Sequence, residues 1–275
     1  MPLLPSRELR FLCYALSCGG LMMLPAIGWT AEAEDYGATL TERLGVPAES
    51  FEIDGNPAFV LLPPEAKRQT PQPWIMYAPA LPAYPDEHEA WMHRQFVDAG
   101  EAYGSPKGRA ACSALYDELV KNRGFAAKPC LLGRSRGGLW VTNWAVENPD
   151  KIAGIAGIYP VFDLRVYPGL EKAAPAYELS IEELKSQLDR QNPIARIEPL
   201  IKARTPIFIV HGDIDELVPI EPNSAALAEK FKAAGGGDCV TLRVSKGQGH
   251  NMDDSFFKCQ ELVDFAIEHA RAGAK

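Results

Sequence analysis

The stretch Gly133-Arg134-Ser135-Arg136-Gly137-Gly138 constrains this chain more than any other. It stands between an apolar run at 128–132 and a helical pattern at 137–148 that Pro149 ends. A chain that passes from a strand straight into a helix must turn sharply. Glycines two before and two after the serine remove Cβ atoms that would collide in such a turn. The serine hydroxyl is then presented at the C-terminal edge of a sheet, in front of a helix N-terminus that favours negative charge.

From residue 51 onward, strand and helix patterns alternate. That pattern implies an α/β chain with a mostly parallel sheet and helices on both faces. Residues 51–54 and 58–62 flank Gly55-Asn56-Pro57 and predict a hairpin. The run 74–78 is apolar and bounded by prolines, which predicts a buried strand. Further strands are predicted at 152–159, 206–211 and 240–244, with helices at 86–99, 109–123, 224–234 and 255–271. Ser180-Ile181-Glu182-Glu183 carries the spacing of a capping box.

Residues 1–33 combine a basic start (Arg7, Arg10), a short apolar run broken by glycine and proline, and Ala31-Glu32-Ala33. This is the pattern of a signal peptide, with a secreted or periplasmic domain expected over 34–275 and no stable membrane insertion. A net charge of −8 argues against nucleic acid as a partner. Cys112, Cys130, Cys239 and Cys259 lack the paired spacing of a zinc site. They read equally as core residues or as disulfide partners whose pairing the sequence does not assign. No metal or cofactor is called for, since the glycine-rich turn lacks the lysine of a phosphate-binding loop. The oligomeric state is not legible.

A serine nucleophile needs a base, and the base an orienting carboxylate. The buried run 206–210 leads into His211-Gly212-Asp213-Ile214-Asp215. A carboxylate just past a strand end faces the same sheet edge as Ser135. Asp215 is favoured there, with Asp213 as a turn-stabilising competitor and Asp163 a weaker candidate. His250 follows the last strand on the small-residue loop Gly247-Gln248-Gly249. His88, His93, His211 and His269 lack that context. The amide of Arg136 is one expected oxyanion donor. The second falls to Ala80 or Leu81, because Pro79 and Pro82 have no N–H.

Together these residues resemble the α/β-hydrolase superfamily over about residues 50–270. Glu101-Ala102-Tyr103-Gly104 is similar to a tyrosine loop of its prolyl oligopeptidase and dienelactone hydrolase branches. The resemblance implies the order Ser135, Asp215, His250 and places Tyr103 in the pocket. Arg134 and Arg136 are candidates for holding a substrate carboxylate. It also exposes a departure: no apolar run separates the helix at 86–99 from Tyr103, so the fourth strand of the usual sheet is expected to be missing. The function implied is a secreted serine hydrolase that cleaves a small or carbohydrate-linked ester through an acyl-enzyme. A serine peptidase and a non-catalytic binding protein of the same fold are the alternatives.

Overall fold

Asp54 and Gly55 adopt left-handed backbone, with φ of 50° and 72°. They fold β1 (Ala48–Ile53) back on β2 (Asn56–Leu61) as an antiparallel pair, a turn whose twist matches the strands it joins. The computed structural model describes residues 30–79, 85–105 and 109–275. The remaining strands are β3 (Trp74–Ala78), β4 (Ala102–Ser105), β5 (Cys130–Arg134), β6 (Gly154–Ile158), β7 (Ile207–Gly212) and β8 (Val240–Ser245). Among the described residues they form one eight-stranded sheet of order β1-β2-β4-β3-β5-β6-β7-β8. From β4 to β8 every neighbouring pair is parallel, and β2 runs against both of its neighbours.

The central strands are buried on both faces, and their side chains alternate between two cores. Trp74, Met76, Leu131 and Ile209 enter one. Ile75, Tyr77, Leu132 and Val210 enter the other. The first core is closed by α3 (Arg109–Asp117) and α4 (Gly137–Glu147). The second is closed by α1 (Thr30–Leu44), α2 (Ala90–Asp98) and the C-terminal helix. Between β6 and β7 lie four short helices: α5 (Leu170–Ala173), α6 (Ile181–Ser186), α7 (Leu188–Gln191) and α8 (Glu198–Lys202). The expected capping box opens α6: Ser180 accepts from the Glu183 amide, and Glu183 accepts from the Ser180 amide. The helix α9 (Ala226–Ala233) precedes β8. The predicted helix at 255–271 is two, α10 (Asp254–Phe257) and α11 (Gln260–Ala272), because Cys259 between them is extended.

The expected missing strand is a correction. Residues 102–105 form β4, parallel to β3 and antiparallel to β2. The turn into it is built by backbone and buried polar contacts. Gly100 takes φ 92°, the Gln72 side-chain amide donates to the Gly100 carbonyl at 2.8 Å, and the Ala102 amide donates to the Pro73 carbonyl at 3.0 Å. Buried Glu101 beside it accepts from Arg271 Nε at 2.9 Å. Pairing on both edges, not an apolar run, defines this strand, and the sheet is continuous from β2 to β3.

Of the expected leader, residues 30–33 open α1 and the rest lie outside the described residues. Cys130, Cys239 and Cys259 are free thiols, and Cys112 is buried in the first core. Cys130 lies on β5, and Cys239 just ahead of β8. Among the described residues no helix is long and apolar enough to cross a membrane.

Candidate active site

The turn after β5 has the strained geometry its glycines predict. Ser135 holds φ 50°, a conformation that costs a non-glycine residue about 1–3 kcal/mol and persists only where its surroundings enforce it. The Ser135 amide donates to the Ile158 carbonyl at 2.9 Å, and its carbonyl accepts from Val161 at 2.9 Å. Helix α4 packs so closely that a Cβ on Gly137 would sit 1.7 Å from the Ala78 carbonyl oxygen. The glycine thus lets the end of β3 close on the first turn of α4.

Ser135 Oγ lies 2.9 Å from His250 Nε2. His250 Nδ1 lies 2.8 Å from Asp215 Oδ2. The second oxygen of Asp215 accepts from the amides of Leu217 (3.0 Å) and Val218 (2.8 Å). Burial opposes the charge on Asp215, but hydrogen bonds from His250 and the Val218 amide outweigh it and hold its pKa below the usual carboxylate range. The acid therefore stays ionised, and a charged partner at Nδ1 leaves Nε2 as the lone-pair nitrogen facing the hydroxyl. The arrangement can remove a proton from Ser135 while stabilising the imidazolium that forms.

The competing carboxylates do other work. Asp213 accepts from the Gly247 amide at 2.6 Å and pairs with Lys246 at 3.3 Å. It fixes the start of the loop that carries His250. Gly212 leaves room for that loop, since a Cβ there would lie 2.1 Å from the Gln248 carbonyl oxygen. Asp163 is buried and held by Arg165 and Asn192. His211 is neutral and structural: burial lowers its pKa, and its ring bridges Ser224 Oγ (2.7 Å) and the Val218 carbonyl (2.8 Å).

Arg134 corrects an expectation. It borders the cleft, yet its side chain is 7% exposed and lies 3.2 Å from Glu89, which is fully buried. Its Nε donates to Tyr159 Oη at 3.3 Å, its other nitrogen approaches Met252 Sδ at 2.8 Å, and the guanidinium covers the Phe257 ring. A cation so engaged ties the nucleophile turn to the histidine loop and is not available to substrate. Glu89 also accepts from Tyr77 Oη and the Asp86 amide. Burial raises its pKa to about 7 against the pull of Arg134. Sequence reasoning missed Glu89 and Tyr159. Asp86-x-x-Glu89 carries capping-box spacing, and the box forms, but nothing in the pattern signals burial. The Tyr159 ring packs 4.2 Å from the His250 ring, centroid to centroid.

Arg136 stands at the N-terminus of α4, where amides have no acceptor within the helix. Ala80 and Leu81 lie outside the described residues, so the expected second oxyanion donor is not placed. Tyr103 lies on β4, opposite Ile75 and Leu61, and not in a loop; its side chain lies outside the description. Around Ser135 and His250 opens a cleft of about 330 Å³, bordered by Tyr159, Tyr167, Leu217 and Met252.

A serine, a histidine and a carboxylate joined in this order, at the C-terminal edge of a sheet with this strand order, define an α/β-hydrolase of the serine hydrolase class. The chain belongs to the prolyl oligopeptidase family, whose model matches residues 95–271. It is similar in fold to Est1E from Butyrivibrio proteoclasticus, with 21% identity and a TM-score of 0.59 over 82% of this chain and 99% of that one. An esterase domain from a Rhodothermus marinus protein is similar at 18% identity and TM-score 0.59, over 82% and 99% of the two chains. Oligopeptidase B from Leishmania major is similar at 16% identity and TM-score 0.57, over 84% of this chain and 37% of that one. No curated protein matches the chain.

Proposed function

We propose that this chain is a carboxylic ester hydrolase that works through an acyl-enzyme, with Ser135 as nucleophile, His250 as general base and Asp215 as the orienting carboxylate. The observation that carries the reading is the unbroken chain of hydrogen bonds from Ser135 Oγ through His250 to Asp215, at 2.9 and 2.8 Å. Ser135 Oγ attacks the ester carbonyl as His250 Nε2 takes its proton. The oxygen that gains charge is held by the amide of Arg136. Collapse of the adduct breaks the ester bond, and His250 returns the proton to the departing alcohol. Water, deprotonated by His250, then attacks the acyl-enzyme and releases the acid with Ser135 restored.

The size of the cleft, near the lower end of the usual range for small-molecule sites, favours a small ester or a short ester-bearing group on a sugar. The basic start, apolar run and Ala31-Glu32-Ala33 at the N-terminus support action outside the cytoplasm. A peptidase is the second reading, favoured by the family match.

Assaying the purified protein on p-nitrophenyl acetate and on a prolyl p-nitroanilide, beside Ser135→Ala, separates the two. The expected result is ester turnover that the variant loses. Anilide cleavage more efficient than ester cleavage would replace the esterase with a peptidase. Turnover of neither would refute both readings.

A further inference from the structure

Among the described residues, those bordering the cleft include no aspartate or glutamate, in a chain whose net charge is −8. They do include Arg136, the residue directly after the nucleophile. Arg134, two residues away, and Arg165 are each committed to a carboxylate, Glu89 and Asp163 respectively. Arg136 is exposed and forms no ion pair with an acid among the described residues. Its guanidinium carbon lies 5.9 Å from the ring centroid of Trp140, one turn along α4. That stacking steadies the side chain along the helix and leaves the N–H edge open. The α4 N-terminus adds positive potential at the same point.

We infer that Arg136 makes this cleft selective for esters that carry a carboxylate close to the scissile bond. The inference rests on the esterase reading and deepens it. A guanidinium presents paired donors that match a carboxylate in two parallel hydrogen bonds. Being one residue from Ser135, it reaches only groups a few bonds from the ester carbonyl. A hemiester of a dicarboxylic acid fits this description, since its acyl part ends in a free carboxylate. The apolar part of the cleft border, with exposed Leu217 and half-buried Met252, suits the aliphatic spacer.

The test compares p-nitrophenyl hemisuccinate with p-nitrophenyl butyrate, which have acyl chains of equal length and differ in the terminal charge. The wild type is expected to favour the hemisuccinate in kcat/KM by about 10–100-fold, the range for one charge-assisted hydrogen-bonded pair. Arg136→Met keeps an apolar stem over Trp140 and is expected to bring that ratio to about one. Arg136→Lys, which keeps the charge but not the fork, is expected to fall between. Rising salt should lower the wild-type ratio. The inference is overturned if the wild type does not favour the hemisuccinate, or if Arg136→Met keeps the wild-type ratio, while butyrate hydrolysis leaves the esterase reading intact. A fall in both rates by the same factor would assign Arg136 to the oxyanion alone and also overturn it. Hydrolysis of neither ester refutes the esterase reading and the inference with it.

Discussion

Glu89 offers a quantitative test of the polar network beneath the nucleophile. It is fully buried against Arg134, and burial raises its pKa from 4.5 to about 7. In the unfolded chain this carboxyl ionises near its ordinary value, so the folded state holds its proton over a range where the unfolded state has lost it. The contribution of Glu89 to stability is therefore complete below about pH 4.5 and is lost as pH rises through about 7. A shift of this size corresponds to about 3 kcal/mol in total, of which about 2–3 kcal/mol falls between pH 5 and pH 8. Glu101, raised to about 7 by burial against Arg271, acts in the same sense. His93, lowered to about 3 by burial, acts in the opposite sense below about pH 6.5. Glu89→Gln removes one titration and leaves the other two. Urea unfolding of wild type and variant at pH 5 and pH 8 should show a stability difference that changes by about 2–3 kcal/mol in the variant's favour as pH rises. A pH-independent difference would refute the argument that burial, and not the Arg134 charge, governs Glu89.

Four substitutions test other parts of the account. Gly137→Ala drives a Cβ into the Ala78 carbonyl; it should cost at least about 1–3 kcal/mol in thermal unfolding and most of the hydrolase activity, by displacing α4. Asp215→Asn should lower kcat by about 10³–10⁴-fold with the fold intact by circular dichroism, because the amide no longer fixes the His250 tautomer. Asp213→Asn, beside the same loop but bonded to Gly247 and not to His250, should cost less than about tenfold in kcat, since it orients the loop through one hydrogen bond. Asn223→Ala removes the acceptor shared by the amides of Phe162 and Asp163 at 2.7 and 3.0 Å; each orphaned amide should cost about 1–3 kcal/mol, read as a lower midpoint in urea.

The parts legible in the sequence were those with a local cause. The turn at Ser135 is written in glycines that leave room for their neighbours; the hairpin was legible from Gly55-Asn56-Pro57, although the turn itself falls one residue earlier, at Asp54-Gly55, with Asn56 and Pro57 already in β2. Residue order and loop context placed Asp215 and His250 at one sheet edge, where the structure joins them. The strand β4 was illegible because its cause is not local. Four residues, with little apolar content, become a strand when the carbonyls and amides of β2 and β3 stand open on either side. The role of Arg134 was hidden for the same reason: its partners Glu89, Tyr159 and Met252 come from three separate segments. An arginine beside a nucleophile reads as a substrate contact until the topology supplies an acid.

Activation of Ser135 as a nucleophile is tested most directly by a fluorophosphonate probe read by intact mass, beside Ser135→Ala. One adduct is expected on the parent, mapped to the peptide that contains Ser135, and none on the variant. A folded parent that takes up no probe, or a variant labelled as fast as the parent, would contradict it.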